Sequence, residues 1–138
     1  MTIRGKFIDS FGPCIAAVLE IPRLDVSGPL ALLVDTGSPY TVLLPGGAEY
    51  IGVELEAVYS EVDPIEAPTV GGPVPVWLEK AVLHLVDERG DLIGFDLTVC
   101  VAPRSTHETE HMGLLGRDIL DQLTLLYDRR SERLTLDP

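Results

Sequence analysis

Glycine and proline punctuate most of this chain, leaving longer uninterrupted stretches only at 53–63, 76–89 and 117–137. Thirteen glycines and eleven prolines leave only short apolar runs, too short for long helices and of the right length for strands. Ile15 to Ile21 reads as one strand. Leu30 to Val34 reads as another, a continuous apolar run of the kind buried on both faces. Thr41 to Leu44 is a third, stopped by Pro45-Gly46-Gly47, with Ala48 to Ile51 as one helical turn ended by Gly52. Val53 to Val62 alternates weakly. Val74 to Val86 alternates better and pairs, through a turn at Glu88-Arg89-Gly90-Asp91, with Leu92 to Val101 as a hairpin. Arg104 to His111 is a polar loop, and Asp118 to Leu123 a short helix. Leu123 to Tyr127 and Arg133 to Leu136 bracket a turn at Asp128-Arg129-Arg130-Ser131, a terminal hairpin. No internal repeat and no linker is visible, so the expectation is one all-β domain over residues 1–138.

Composition narrows the partners. An apolar fraction of 46% supplies a core, and 23% charged residues without a low-complexity tract argue against disorder. The net charge of −12 repels nucleic acid and anionic membrane, and at neutral pH it also repels a second copy of the chain. Cys14 and Cys100 sit in apolar contexts (GPCIAAV and LTVCVAP), which reads as two buried reduced thiols; a disulfide is the alternative. The first residues, MTIRGKFIDSFGP, hold no apolar run of signal-peptide length, and no segment reaches a membrane span. The expected setting is the cytoplasm.

Chemistry concentrates in Leu32-Leu33-Val34-Asp35-Thr36-Gly37-Ser38. A carboxylate directly after a buried apolar strand is costly unless it is hydrogen-bonded. Thr36-Gly37 supplies a tight turn in which the Gly37 N–H can approach the carboxylate. Alone, this could be an Asx-turn closing a strand. A second segment, His111-Met112-Gly113-Leu114-Leu115-Gly116-Arg117-Asp118, would alone read as a strand running into a capped helix.

Together, Val34-Asp35-Thr36-Gly37-Ser38 and Leu114-Leu115-Gly116-Arg117-Asp118 resemble the retropepsin family of aspartic peptidases, the single-domain relatives of pepsin. The resemblance covers roughly Leu30 to Leu136. It implies a closed all-β barrel with a flap hairpin and one short helix. It implies Asp35, Thr36 and Gly37 as the catalytic loop, with Ser38, Leu115, Gly116, Arg117 and Asp118 in support. Thr69 to Val76 stands where the family carries its flap, with Val70, Gly71 and Gly72 at the tip and a Gly-Gly-Pro sequence suited to a mobile hairpin. Two departures stand out. Pro39-Tyr40 replaces the acidic neighbour that viral members offer to the arginine, so Arg117 needs another partner: Asp118, Asp121 or a carbonyl. Ser38 stands where viral members often have alanine, and its hydroxyl could donate to the Asp35 carboxylate and favour the charged form.

Hydrolysis by this route uses two carboxylates sharing one proton, one as general base toward water and one as general acid. The chain holds no second Asp-Thr-Gly or Asp-Ser-Gly, so the expectation is a homodimer with Asp35 and its symmetry mate on the axis. The terminal hairpin, the N-terminal strand or both would build the interface. The substrate would be an extended peptide bound by main-chain hydrogen bonds under the flap, with Leu33, Val70, Val76, Leu114 and Leu115 as apolar pocket formers. No cofactor or metal is expected. His107-Glu108-Thr109-Glu110-His111 does match the zincin pattern, but Pro103 before it and Gly113 after it leave no long helix, and no histidine follows as a third ligand. A metalloprotease is therefore the least favoured alternative. A non-catalytic peptide-binding or dimerisation module is the other. His84, alone on an alternating strand, reads as structural.

Overall fold

The computed structural model describes residues 1–104 and 111–138. Its strands are β1 (Ile3–Arg4), β2 (Lys6–Ile8), β3 (Gly12–Ile21), β4 (Val26–Val34), β5 (Val42–Leu43), β6 (Ile65–Ala67), β7 (Val74–Val86), β8 (Leu92–Val101), β9 (Gly113–Leu115), β10 (Thr124–Asp128) and β11 (Arg133–Asp137). Three short α-helices interrupt them: α1 (Pro45–Ile51), α2 (Leu55–Glu61) and α3 (Arg117–Leu120).

The main sheet runs β2-β3-β4-β9-β5-β8-β7-β6, and β3 also pairs with β7. That last pairing, from Ala17 opposite Leu85 to Glu20 opposite Val82, closes six strands into a barrel. Inside it the alternation of β7 buries Ala81, Leu83 and Leu85 against Ile15, Leu19 and Leu32. The long hairpin β7–β8 lies where the sequence placed it, paired from Trp77–Val101 to Val86–Leu92. A second sheet, β1-β11-β10, joins the chain's two ends. Its β10–β11 connection is the expected terminal hairpin. Asp128 caps the turn by accepting from the Ser131 N–H at 3.2 Å and hydroxyl at 2.6 Å, and these bonds hold its carboxyl below the usual range.

The short helix expected after Gly116 is α3, and the other two helices revise local readings. Pro45 does not merely stop a strand. It occupies the first helical position of α1, where its missing N–H costs nothing and its fixed φ suits the helix. Gly52, at φ 93°, ends that helix in the left-handed region. The weak alternation over Val53 to Val62 is α2, which buries Leu55 and Val58 one turn apart; with so few apolar positions, periods of 2 and 3.6 are hard to tell apart. The run Leu30 to Val34 is not buried on both faces. Leu30, Leu32 and Val34 point into the core, Ala31 is exposed and Leu33 half-buried.

Candidate active site

The candidate site is built where β4 ends. β9 lies beside β4 in parallel register, Leu32–Gly113, Leu33–Leu114 and Val34–Leu115, and beside β5 in antiparallel register. The loop from Asp35 to Thr41 therefore leaves β4, crosses the end of β9 and returns as β5. Gly113 is required at this crossing, since a β-carbon there would lie 2.6 Å from the Val42 carbonyl oxygen.

Asp35 is tied to that frame at both its backbone and its side chain. Its N–H donates to the Leu115 carbonyl at 3.0 Å. Its Oδ1 accepts from the Gly37 N–H at 3.0 Å, and its carbonyl accepts from the Ser38 N–H at 3.2 Å. The carboxylate is half-buried and flanked by exposed Thr36 and Gly37, so it faces outward with one oxygen anchored. Ser38 does not reach it. The Ser38 hydroxyl donates to the Tyr40 carbonyl at 2.6 Å, which stiffens the loop and leaves the carboxylate with the backbone donor.

Arg117 and Asp118 hold the loop from below. Arg117 Nη1 donates to the Thr36 carbonyl at 2.9 Å, the carbonyl alternative among the expected partners, and its own N–H donates to the Ser38 carbonyl at 2.9 Å. Asp118 receives the Thr41 N–H at 3.0 Å and the Thr41 hydroxyl at 2.7 Å. The Thr41 oxygen in turn accepts from the Gly116 N–H at 3.2 Å. Thr41, only 1% exposed, is the structural centre of this network and was read from sequence merely as the first residue of a strand. Its one sequence signal is a hydroxyl opening an otherwise apolar run. Leu115 is fully buried, so it supports the loop and lines no pocket; Val76 likewise turns into the protein. Leu33 and Leu114 remain half-buried on the surface side.

The expected flap is the hairpin of β6 and β7, paired from Ile65–Val76 to Ala67–Val74. Its tip is closed by reciprocal bonds, Thr69 N–H to the Gly72 carbonyl at 3.2 Å and Gly72 N–H to the Thr69 carbonyl at 3.0 Å. Gly72 takes φ 108°, which a residue with a β-carbon rarely adopts. Val70 and Gly71 project between them, and Val70 is fully exposed.

Among the described residues there is no group of three or more histidine, cysteine or carboxylate side chains placed to hold a metal ion. His107 and Glu108 of the zincin-like pattern lie outside those residues. His111 does lie within them, and its Nε2 donates to the Phe11 carbonyl at 3.1 Å. His84 faces Glu20 at 3.3 Å across the barrel wall, a structural role. Cys14 and Cys100 are buried and unpaired, and burial raises both thiols above the usual range.

No family model and no curated protein matches this sequence. Solved structures do match. A retropepsin-like aspartic protease from Rickettsia conorii aligns with a TM-score of 0.63 at 15% identity, over 99% of this chain and 90% of that one. The retroviral protease-like domain of Ddi1 from Leishmania major aligns with a TM-score of 0.41, also at 15% identity, over 91% and 94% of the two chains. The fold is therefore retropepsin-like.

Proposed function

We propose that this chain is one peptidase domain, an aspartic endopeptidase that works as a homodimer, with Asp35 and its symmetry mate sharing one proton. The observation that carries the reading is the mounting of Asp35. Its carboxylate stands at the end of a core strand, one oxygen held by the Gly37 N–H, on a loop that Arg117, Asp118 and Thr41 fasten to the buttressing strand. Such a carboxylate is pre-positioned, and its second oxygen is free for a water molecule or a neighbouring carboxyl. Two carboxyls side by side cannot both ionise, so the pair titrates as a unit, one member protonated and one charged. The charged member takes a proton from the attacking water while the protonated member donates to the substrate carbonyl oxygen. Thr36 and Gly37 frame that water, and Val70, Gly71 and Gly72 cover an extended peptide from above.

The second copy has a natural seat. β10 forms the outer edge of the terminal sheet and exposes Leu126 and Tyr127, at 36% and 56%. A symmetric β10-to-β10 pairing would satisfy that edge and extend three strands to six. β1 pairs with β11 of its own chain, so in this reading the terminal hairpin carries the interface. No helix among the described residues is long and apolar enough to cross a membrane, and the two unpaired thiols fit a cytoplasmic setting.

The test is cleavage of a mixed peptide library between pH 4 and 7 by wild type, by Asp35→Asn and by wild type with a chelator. Loss in Asp35→Asn without an effect of chelator is the expected result. Loss with chelator would move the chemistry to the segment around His107. Peptide binding without cleavage in any lane would leave a non-catalytic module.

A further inference from the structure

β5 is too short to line β8. On one side β8 pairs with β7 along its whole length, from Leu92 to Val101. On the other, β5 meets it only at Cys100 and Val101, and the Cys100 N–H donates to the Thr41 carbonyl at 3.1 Å. From Leu92 to Thr98 no strand among the described residues lies on that side.

The direction of the backbone groups on this flank follows from Cys100. Its N–H points to the β5 side, and the β7–β8 register runs without a bulge. Backbone groups alternate along a strand, so the N–H and carbonyl groups of Thr98, Asp96, Gly94 and Leu92 face the open flank too. All four residues are exposed. Outside the β7–β8 ladder, no bond among the described residues uses any of these four N–H groups. Edges of this kind are usually blunted by lysine, proline or a bulge. The run LIGFDLT, Leu92 to Thr98, has none of them. The strands that end the same sheet, β2 and β6, are three residues each. This flank spans about 23 Å, the length of a full strand.

Its two faces differ. Ile93, Phe95 and Leu97 are half-buried against the core. Leu92, Gly94, Asp96 and Thr98 turn to solvent, with Asp91 at the end of the row. Neither Asp91 nor Asp96 joins an ion pair among the described residues. Lys80, opposite Thr98, stands one strand further in. We propose that this flank of β8 is a docking edge for an extended segment of another protein, one that alternates apolar and cationic residues. The backbone of that segment bonds to the four outward N–H and carbonyl groups. Its apolar residues continue the row Ile93, Phe95, Leu97 and cover what those side chains leave exposed. Its cations lie beside Asp96 and toward Asp91. A second copy of β8 is a poorer occupant, because Asp91 and Asp96 of both chains would lie along one ribbon, and like charges across strands oppose pairing. The proposal does not depend on the peptidase reading.

The probe is a synthetic peptide of alternating valine and lysine, as long as the open flank and blocked at both ends. It is added to the full chain carrying Asp35→Asn, which keeps it uncut. Its binding should slow amide exchange at Leu92, Gly94, Asp96 and Thr98 and leave the Cys100 amide, already bonded, unchanged. Gly94→Pro removes an N–H that the β7 ladder does not use, and Asp96→Lys adds the charge that ordinarily protects an edge. Together they should weaken the peptide at least about tenfold, read by fluorescence anisotropy. A peptide of alternating valine and glutamate should bind at least about tenfold more weakly than the lysine peptide. The exchange pattern and Asp96→Lys alone decide the matter even where Gly94→Pro lowers stability. Absence of binding, binding that leaves the four amides exchanging as before, equal binding of the glutamate peptide, or binding that survives both substitutions would overturn the proposal. So would a dimer in sedimentation that Asp96→Lys or Gly94→Pro dissolves, which would make the edge a contact between copies.

Discussion

Gly116 has no room for a side chain. A β-carbon there would lie 2.2 Å from the Tyr40 carbonyl oxygen and 2.8 Å from the Thr41 nitrogen, and both are backbone atoms of the loop that carries Asp35. Gly116→Val should therefore lower stability by at least about 2 kcal/mol, the scale of overpacking in a closed site; a urea midpoint equal to wild type would refute the buttressing role. Thr41 is the subtler position. Thr41→Val keeps shape and removes the hydroxyl, so Asp118 loses one of its three donors, keeping the N–H groups of Thr41 and Ile119, and the Gly116 N–H loses its acceptor. That change should cost about 1–3 kcal/mol, the penalty of unsatisfied buried partners, and should loosen the loop that holds Asp35. Asp35→Asn, nearly isosteric and half-exposed, should keep the melting temperature and reduce turnover at least about 100-fold, the lower range for loss of a general acid or base. Wild-type turnover in that variant would end the assignment.

At the scale of elements, the β7–β8 hairpin is set by its turn as much as by its strands. Asp87 accepts from the N–H groups of Arg89 at 2.8 Å and Asp91 at 2.9 Å, and these bonds, the one from Asp91 foremost, hold its carboxyl below the usual range. A depressed folded pKa contributes stability above the unfolded value, about 3.9, and loses it as pH falls through the folded value. Asp87→Asn should thus melt earlier than wild type at pH 6, with the gap closing as the pH falls below the ordinary carboxylate range. A gap that stayed constant across that range would show that charge plays no part in the turn. The hairpin tip behaves differently. Gly72 has open space for a β-carbon but a φ that disfavours one, so Gly72→Val should strain the tip and slow turnover more than it lowers stability, provided that this hairpin closes over substrate.

At the scale of the molecule, activity is expected to be a property of two chains. Each copy carries a charge of −12, so association should tighten as the pH falls and carboxylates take up protons. Leu126→Lys combined with Tyr127→Lys places charge on both faces of the β10 edge, a device that blocks edge pairing. The double variant should sediment as a monomer where wild type is dimeric, keep its melting profile at low concentration, and lose activity that a higher protein concentration recovers. Undiminished activity in a strictly monomeric species would refute the dyad.

Much was legible because it depends on local chemistry. The alternation of Val74 to Val86, its turn and its partner are short-range features, and strand bounds and hairpin followed from them. The pairing of Asp35-Thr36-Gly37 with Leu115-Gly116 was legible only through the family resemblance that the two segments carry together, since alone each reads as an ordinary turn or a capped helix. Of α1 only the turn Ala48 to Ile51 and its end at Gly52 were legible, and α2 was not, since a proline can stop a strand or start a helix, and seven residues do not separate two periods. Nor could the sequence say that Ser38 bonds to Tyr40, that Thr41 is the knot of the loop, or that Leu33 and Ala31 face a cavity walled by Phe11 and His111. The Thr41 and His111 contacts join residues 75 to 100 positions apart, decided only when β9 took its place between β4 and β5, and the Ser38 bond is set by the loop that this placement shapes. The sequence by itself determined an all-β chain with one carboxylate too expensive to leave unsupported; the tertiary structure alone decided which distant backbone and side-chain atoms support it, because long-range hydrogen bonds leave no periodic trace along a chain.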